Sequence, residues 1–171
     1  MSVCTDCNQE MITVNSCTIP ENEFGERDTS YFDINNIDIS PSILKKNEWV
    51  SKWVKGDCGL KQRLLAFVLI EGVFFSTSFC VIFWFKNKNK LEVLTFTNEL
   101  ISRDEALHVD FGCAFFKKNE QVLDEILVFQ MVRESVECEK NFARELFING
   151  EEGVMNYNNM EQYIKFVADL M

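Results

Sequence analysis

Three residues of this chain have the types and the spacing of metal ligands. Glu71 lies inside the apolar run at 64–85, and Glu105 and His108 lie three positions apart inside the segment 99–111. Residues three apart on a helix share one face, so Glu105 and His108 can present an oxygen and an imidazole to one ion. Carboxylate with imidazole suits iron or manganese, and three protein ligands leave positions open for oxygen or water. A helical bundle builds such a site from a Glu on one helix and a Glu-x-x-His on another.

A purely structural role for these residues is the alternative. Glu71 would then pair with Arg63 or a lysine and His108 would be a core histidine, since a short motif such as Glu-x-x-His often matches by chance. The apolar surroundings of Glu71 favour the metal, because an unpaired buried carboxylate is costly and a bound cation removes that cost. Four aromatic residues at helical spacing are expected to form a wall that excludes water from the site. They are Phe67, Phe74, Phe75 and Phe79.

Helix signals before and around Glu71 predict two helices. Ser40 suits the N-cap and Pro41 the first position of a helix. The segment Gly56–Gly59 ends that helix and opens a long apolar helix that is expected to run to about Phe85. Glu71 therefore lies in the middle of a helix.

Three further helices are predicted after the basic link at 86–90. Thr95 or Thr97 can cap a helix that reaches about Lys117 and carries the Glu-x-x-His. A fourth helix covers 120–146, and the last residues, 160–171, form a closing helix. No segment shows a convincing strand pattern, so the predicted class is all-α. Six apolar residues of the fourth helix have helical spacing: Val122, Ile126, Phe129, Val132, Val136 and Phe142.

Composition bounds the domain organisation and the partners. With 171 residues, 47% hydrophobic content and 16 Phe, the chain is long enough for one domain with a real core. Residues 1–39 are polar and show no sustained period, which predicts a flexible acidic arm before a helical domain at 40–171. The net charge is −10, and residues 86–90 are the one tight basic cluster. A nucleic-acid surface is therefore not expected.

The seven cysteines are odd in number and scattered, which is typical of reduced thiols in an intracellular protein. We therefore expect a cytoplasmic protein, and the N-terminus shows no signal-peptide pattern. Cys4 and Cys7 form a CxxC that would need further ligands to bind zinc. Only Cys17 lies near it in sequence, so a metal or redox role for this motif is not expected.

The apolar run at 64–85 is also long enough to span a bilayer. Glu71 lies well inside it, and a carboxylate at bilayer depth costs a few kcal/mol even on lenient scales. Ser76, Thr77 and Ser78 dilute the run further. A helix that is apolar all round is ordinary at the centre of a large bundle, so the sequence favours a core helix over a membrane span.

The segment 63–111 closely resembles the small, radical-generating subunit of class I ribonucleotide reductase. The motifs that carry the resemblance are EGVFFSTSF at 71–79 and SRDEALH at 102–108, and similarity continues upstream to 41–54 and downstream to 160–171. The resemblance implies a ferritin-like helical bundle, present here in part. It also implies a diiron centre that oxidises a tyrosine with oxygen, and a radical that starts ribonucleotide reduction on the large subunit.

Site residues follow from the resemblance position by position. Glu71, Glu105 and His108 match the ligands of one iron, with Glu105 as the bridging carboxylate. Phe75 and Phe79 match the apolar pocket beside the radical. Asp104 matches a carboxylate outside the metal ligands that links the centre to the radical-transfer path.

The departures from the family are equally specific. The family holds its other iron with an Asp and a second Glu-x-x-His on earlier helices, but His108 is the only histidine in these 171 residues. Tyr31, Tyr157 and Tyr163 do not match the radical position, and the docking tail for the large subunit has no counterpart. The first reading is a partial small subunit that is inactive alone and is complemented by a full-length partner.

Two other readings stay open. The chain is either a non-catalytic relative that dimerises with and regulates the intact small subunit, or a homodimer whose two copies rebuild a site of four Glu and two His. Each reading requires an oligomer, because the apolar faces of 64–85 and 96–116 would otherwise form an exposed patch larger than monomers tolerate. Iron, or manganese in its place, is the expected cofactor.

Overall fold

The fold is described on a computed structural model, which describes residues 11–14, 17–20, 40–118, 122–148 and 150–171. Residues 40–171 form one compact unit built of helices, and the predicted all-α class is confirmed for this unit. Its elements are α1 (Pro41–Val50), which continues into a π-helical turn (Ser51–Lys55), α2 (Leu60–Val73), α3 (Ser76–Asn87), α4 (Glu92–Lys118), α5 (Glu125–Leu146) and α6 (Tyr157–Asp169).

The N-terminal unit contains a short hairpin that the sequence did not predict. Strand β1 (Met11–Val14) pairs antiparallel with β2 (Cys17–Pro20), with Met11 opposite Pro20 and Val14 opposite Cys17. The predicted flexible arm over 1–39 lies mostly outside the described residues and stays a prediction. Cys4 and Cys7 also lie outside them.

The hydrophobic core lies among α1, α2, α5 and α6. Trp49, Leu69, Met131 and Ile164 are buried there, each from a different one of these helices. Trp53 is buried beside them and donates its indole N–H to Glu134 on α5 at 2.9 Å. Helix α4 lies outside this core and packs mainly against α2 and α3.

The long helix predicted from Gly59 to Phe85 is interrupted, so that prediction was wrong. Helix α2 ends at Val73 and α3 begins at Ser76. Lys46 on α1 donates to the Phe74 carbonyl at 2.8 Å, and Glu139 on α5 accepts the Thr77 N–H at 3.0 Å. A helix break leaves carbonyls on one side and N–H groups on the other without partners, and this lysine and this glutamate satisfy one group on each side.

Lys46 and Glu139 also pair with each other across the break. Their Nζ and Oε2 atoms lie 2.5 Å apart, and the Glu139 side chain is fully buried. The positive lysine lies at the C-terminal end of α2 and the negative carboxylate at the N-terminal start of α3, which suits both helix dipoles.

Two predicted helix starts were wrong. Helix α4 begins at Glu92, and the hydroxyls of Thr95 and Thr97 donate to carbonyls within the helix instead of capping it. Helix α5 begins at Glu125, with Asp124 as its N-cap.

Three of the six apolar residues at helical spacing in the predicted fourth helix do not contribute to its buried face. Val122, Ile126 and Phe129 are exposed. Four residues spaced by four positions form the buried stripe of α5 instead: Met131, Ser135, Glu139 and Ala143.

By length and composition, one segment of the described residues, Leu60–Asn87, is long and apolar enough to cross a membrane. This is weak evidence, because a core helix passes the same test. In the structure the segment is broken at Phe74–Phe75 and packs against α4, α5 and α6. The packing agrees with the prediction of a core helix.

The close approach of α2 and α4 depends on Gly112. A Cβ atom at this position would lie 2.5 Å from Val68 Cγ2 and 3.3 Å from Phe67 Cδ1. We predict that Gly112→Val lowers the free energy of unfolding by about 1–3 kcal/mol, because it overpacks this contact. Urea denaturation followed by circular dichroism measures the change.

Gly150 supplies the matched control for this prediction, since no atom lies within 4 Å of a Cβ placed there. Gly150→Val should change the free energy of unfolding by no more than about 0.5 kcal/mol, as surface substitutions usually do. Equal effects of the two variants would show that α2 and α4 are not in close contact at Gly112.

Candidate metal centre

The three predicted ligands meet between α2 and α4. One potential ligand atom from each of Glu71, Glu105 and His108 lies within 4.8 Å of the others. His108 Nδ1 is 2.9 Å from Glu105 Oε2 and 3.8 Å from Glu71 Oε2. The side chains of Glu71 and Glu105 are 16% and 19% exposed, whereas that of His108 is 52% exposed. The group is thus closed on the carboxylate side and open at the imidazole.

The backbone explains why these residues meet. Glu71 lies in the last turn of α2, just before the break that Lys46 and Glu139 hold. Glu105 and His108 lie one turn apart on the side of α4 that faces α2. The absence of a side chain at Gly112, one turn beyond His108, lets the two helices approach.

The electrostatics of the group favour a cation. Burial, together with a hydrogen bond to Glu105, raises the pKa of Glu71 to about 7. The same hydrogen bond is the main reason that the pKa of Glu105 is lowered. The hydrogen bond to Glu105 also raises the pKa of His108. Two carboxylates that face each other raise the pKa of one of them, and a metal ion bound between them would relieve the same repulsion that a proton relieves.

The donor set fits one iron or manganese ion. Two carboxylates and one imidazole are the ligand types that these ions accept, and three ligands leave coordination positions free. Across 40–118, 122–148 and 150–171 this is the one group of three or more acidic, histidine or cysteine side chains that converges in this way.

Metal binding is predicted to weaken as the pH falls below about 7, the pKa of Glu71, because the ion must displace a proton. One displaced proton corresponds to about a tenfold loss of affinity per pH unit. The stability of the metal-free protein has the opposite pH dependence. Its folded state holds the Glu71 proton more tightly than the unfolded chain does. The unfolding free energy therefore falls as pH rises from about 4.5, the ordinary pKa of a glutamate side chain, to about 7.

Calorimetric titration with Mn²⁺ in two buffers of different ionisation enthalpy checks the release of protons. A heat of binding that is independent of the buffer, with an affinity independent of pH, would contradict the release of a proton from Glu71.

Part of the predicted aromatic wall is present. Phe67 lies beside His108, with ring centroids 6.4 Å apart, and Phe79 lines a cavity of about 290 Å³ together with Glu71 and Glu105. Phe75 contacts Phe79 with centroids 6.0 Å apart, but it is 38% exposed.

Phe74, the remaining member of the predicted wall, faces the core. Its ring packs edge-on against Trp49 with centroids 5.1 Å apart. Its place in the wall around Glu71 was therefore predicted wrongly, because the break at Phe74–Phe75 turns its side chain away.

Asp104 is exposed on α4 and acts on His108 only electrostatically, helping to raise its pKa. The partners named for the structural alternative differ in the structure: Arg63 donates to the Gly56 carbonyl, and His108, which lies at the surface, contacts Glu105. Tyr163 lines the same cavity as Glu71, a position that the sequence did not indicate.

The sequence also did not single out Lys46 and Glu139. Glu139 lies on the four-residue spacing of the buried stripe of α5, and this spacing is the sequence signal that could have identified it as buried. A charged residue on an otherwise small or apolar stripe predicts a buried ion pair, although it does not name the partner.

The comparisons with known proteins point to one family. The family model described as "Ribonucleotide reductase, small chain" matches residues 23–171. The small subunit of ribonucleoside-diphosphate reductase from Dictyostelium discoideum is 47% identical over 135 residues, covering 79% of this chain and 40% of that protein. The small chain from Vaccinia virus (strain Ankara) is 42% identical, covering 79% of this chain and 42% of that protein.

A solved structure points to the same family. The ribonucleotide reductase Rnr4 homodimer from Saccharomyces cerevisiae matches with a TM-score of 0.66 and 28% identity, over 75% of this chain and 41% of that chain. This chain therefore spans about two fifths of the length of its relatives. The family match over 149 of 171 residues (23–171), the identities above 40% and the shared helical fold lead to one conclusion: the chain belongs to the ribonucleotide reductase small-chain family.

Proposed function

We propose that the chain is a small-subunit component of ribonucleotide reductase, in which Glu71, Glu105 and His108 hold one iron ion. The observation that carries this proposal is the convergence of the three ligand atoms within 4.8 Å in a member of this family. When bound, iron in this family's centre supplies the oxygen-dependent oxidation that starts the conversion of ribonucleoside diphosphates to deoxyribonucleotides. Manganese suits the same donors and is the alternative ion.

Each nearby residue has a role in this proposal. Glu105 hydrogen-bonds both other ligands, which suits a carboxylate that bridges two metal ions. Phe79 lines the cavity beside Glu71 and Glu105 and is the residue that would limit the access of water, and Phe75 packs against it. Asp104, exposed beside His108, is the candidate for connecting the centre to a radical path that reaches the large subunit.

The complete site needs ligands from outside this set. His108 is the only histidine in the 171 residues, so a second Glu-x-x-His must come from another polypeptide, a second copy or further sequence. We therefore propose that the chain acts with a full-length small subunit and with the large subunit, in the cytoplasm. The second candidate, a non-catalytic regulator of the full-length small subunit, is favoured by the same single histidine.

Reconstitution with purified components tests the proposal. The chain is combined with Fe²⁺, oxygen and the large subunit, with and without a full-length small subunit, and deoxyribonucleotide formation is measured. We expect the chain to bind iron and to raise the rate only when the full-length small subunit is present. His108→Ala should remove that increase.

The regulator predicts a different outcome. The His108→Ala variant would then change the rate as much as the natural chain does. A chain that binds neither iron nor manganese, and that leaves the rate unchanged in every mixture, would contradict both candidates.

A further inference from the structure

The side chain of Met171 places a thioether beside the candidate metal centre. Its sulfur, Sδ, lies 2.6 Å from the point where a Cβ atom would stand on Gly72, the residue that follows Glu71. The sulfur therefore occupies the space that a side chain at position 72 would need. Because Gly72 and Glu71 are neighbours in α2, this packing brings the sulfur close to one of the three ligands.

The thioether also borders the cavity that the ligands border. This cavity of about 290 Å³ lies among α2, α4 and α6, and Glu71, Glu105 and Met171 are among the residues that line it. Its volume is several times the roughly 30 Å³ that one water molecule occupies in the liquid. A small molecule held in the cavity therefore has two carboxylates and one sulfur around it.

The end of α6 holds Met171 in this place. The backbone N–H groups of Leu170 and Met171 donate to the carbonyls of Val167 and Ala168 at 3.2 and 3.3 Å, so a tight turn follows the helix. Val167 and Leu170 line the same cavity, and Met171 is 39% exposed. The backbone thus positions the sulfur, while a soluble reactant can still reach it.

A thioether in this position is suited to oxidation. Methionine sulfur accepts one oxygen atom and becomes a sulfoxide. Among the described residues that line the cavity, Met171 carries the only sulfur, and the neighbouring Val109 is aliphatic. The three ligands leave coordination positions free on a bound ion, so a peroxide oxygen can be held next to the sulfur. Reactants that are held together react much faster than the same groups free in solution.

We propose that Met171 is an oxidation site of the metal centre, with a hydroperoxide as the co-substrate. With hydrogen peroxide, the O–O bond breaks, one oxygen atom forms the S–O bond of the sulfoxide, and the other leaves as water. The sulfur loses two electrons and the peroxide gains two, so no further reductant is needed. Methionine sulfoxide reductases reverse this modification. The inference rests on the proposed function for the bound iron and adds a product on the chain itself.

Peptide mass spectrometry of the full chain tests this site. The chain is loaded with iron and freed of unbound metal, and its iron content is measured before hydrogen peroxide is added. The metal-free chain, treated in the same way, gives the oxidation that exposure alone causes. Met155, which does not line the cavity, is the internal reference. We expect iron to raise the ratio of sulfoxide at Met171 to sulfoxide at Met155 at least about tenfold, because the reactants are held together.

Two variants test the geometry. His108→Ala removes a ligand and should return the ratio to that of the metal-free chain. Gly72→Ala adds the Cβ atom whose place the sulfur now takes, so the flexible end of Met171 must move away. Helix α2 should tolerate this change, since alanine favours a helix more than glycine does. We expect Gly72→Ala to keep its iron and to lose most of the iron-dependent oxidation.

Gly150→Ala is the matched control, because no atom lies within 4 Å of a Cβ placed there. It should show the same iron content and the same iron-dependent oxidation of Met171 as the natural chain. An increase that persists in Gly72→Ala, or that is lost equally in Gly150→Ala, overturns the position of the sulfur beside Glu71.

The remaining outcomes separate this inference from the proposed function. Bound iron without preferential oxidation of Met171 overturns the oxidation site and leaves the proposed function intact. Iron-dependent oxidation that is found on Tyr163, which lines the same cavity, has the same consequence. A chain that binds no iron contradicts the proposed function itself, and the oxidation site with it.

Discussion

Replacement of Lys46 by Met is expected to lower the free energy of unfolding by about 3–5 kcal/mol, the cost of removing one partner from a buried ion pair. The substitution leaves the fully buried Glu139 carboxylate without its counter-charge, 2.5 Å away in the natural protein. It also leaves the Phe74 carbonyl at the end of α2 without the 2.8 Å hydrogen bond from Lys46. Both losses occur at the helix break, so we expect no compensation from solvent.

Urea denaturation of the metal-free protein measures this loss. An exposed pair supplies the control: Lys86→Met breaks the contact with Glu99, where both side chains are nearly half exposed, and should lower the stability far less than Lys46→Met does. The double variant Lys46→Met with Glu139→Leu should recover part of the stability, because no buried charge remains unpaired. Similar losses for Lys46→Met and Lys86→Met would contradict the structural role of the buried pair.

Removal of the imidazole is expected to lower the affinity for Fe²⁺ or Mn²⁺ by more than about 100-fold. Loss of a residue that only orients a ligand typically costs 10–100-fold, so loss of a ligand itself should exceed that range. His108→Ala leaves two carboxylates that still face each other, and Glu105→Gln removes the hydrogen-bonded neighbour of both other ligands. Either variant should therefore bind metal far more weakly than the natural chain.

Equilibrium dialysis with metal analysis measures the affinity. Glu99→Gln is the matched control, since it removes a carboxylate from the same helix where it pairs with Lys86 at the surface. Its affinity should equal that of the natural chain within about twofold, because exposed charges at that distance are largely screened. Binding that survives His108→Ala but is lost in Glu99→Gln would place the ion elsewhere on α4.

The predicted ligand group could be found from the sequence because its signals are local. Glu105 and His108 lie three apart on an amphipathic helix, and Glu71 stands out as a charge within an apolar run. Helical periodicity then places Glu105 and His108 on one face of their helix without knowledge of the whole fold. The start of α1 at Pro41 was predicted for the same reason, since the signal of its first residues is local.

The break in the long apolar helix could not be predicted, because its causes lie far away in sequence. Lys46 and Glu139 are 28 and 62 positions from the backbone groups they bind. The run itself contains no Pro, and its Gly72 lies before the break. Tertiary contacts therefore overrode a pattern that favours one continuous helix.

The apolar residues around the start of α5 show a second limit of sequence periodicity. The apolar residues Val122, Ile126 and Phe129 have helical spacing but lie at the surface, whereas the buried stripe includes Ser135 and Glu139. Periodicity identifies the helix, yet it cannot show which face is covered when polar residues form internal hydrogen bonds and apolar ones remain exposed. Here Ser135 donates to the Val132 carbonyl at 2.8 Å, and Glu139 is paired with Lys46.

Because the chain has a single histidine, the metal centre can be tested directly. Pulsed electron paramagnetic resonance of Mn²⁺ bound to untagged protein detects nitrogen nuclei that are coupled to the ion. Since His108 is the only histidine in the chain, any imidazole nitrogen in the spectrum belongs to it. We predict imidazole coupling that changes when the protein is labelled with ¹⁵N-histidine and that is absent in His108→Ala. Bound Mn²⁺ without imidazole coupling would contradict the assignment of Glu71, Glu105 and His108 as a metal centre.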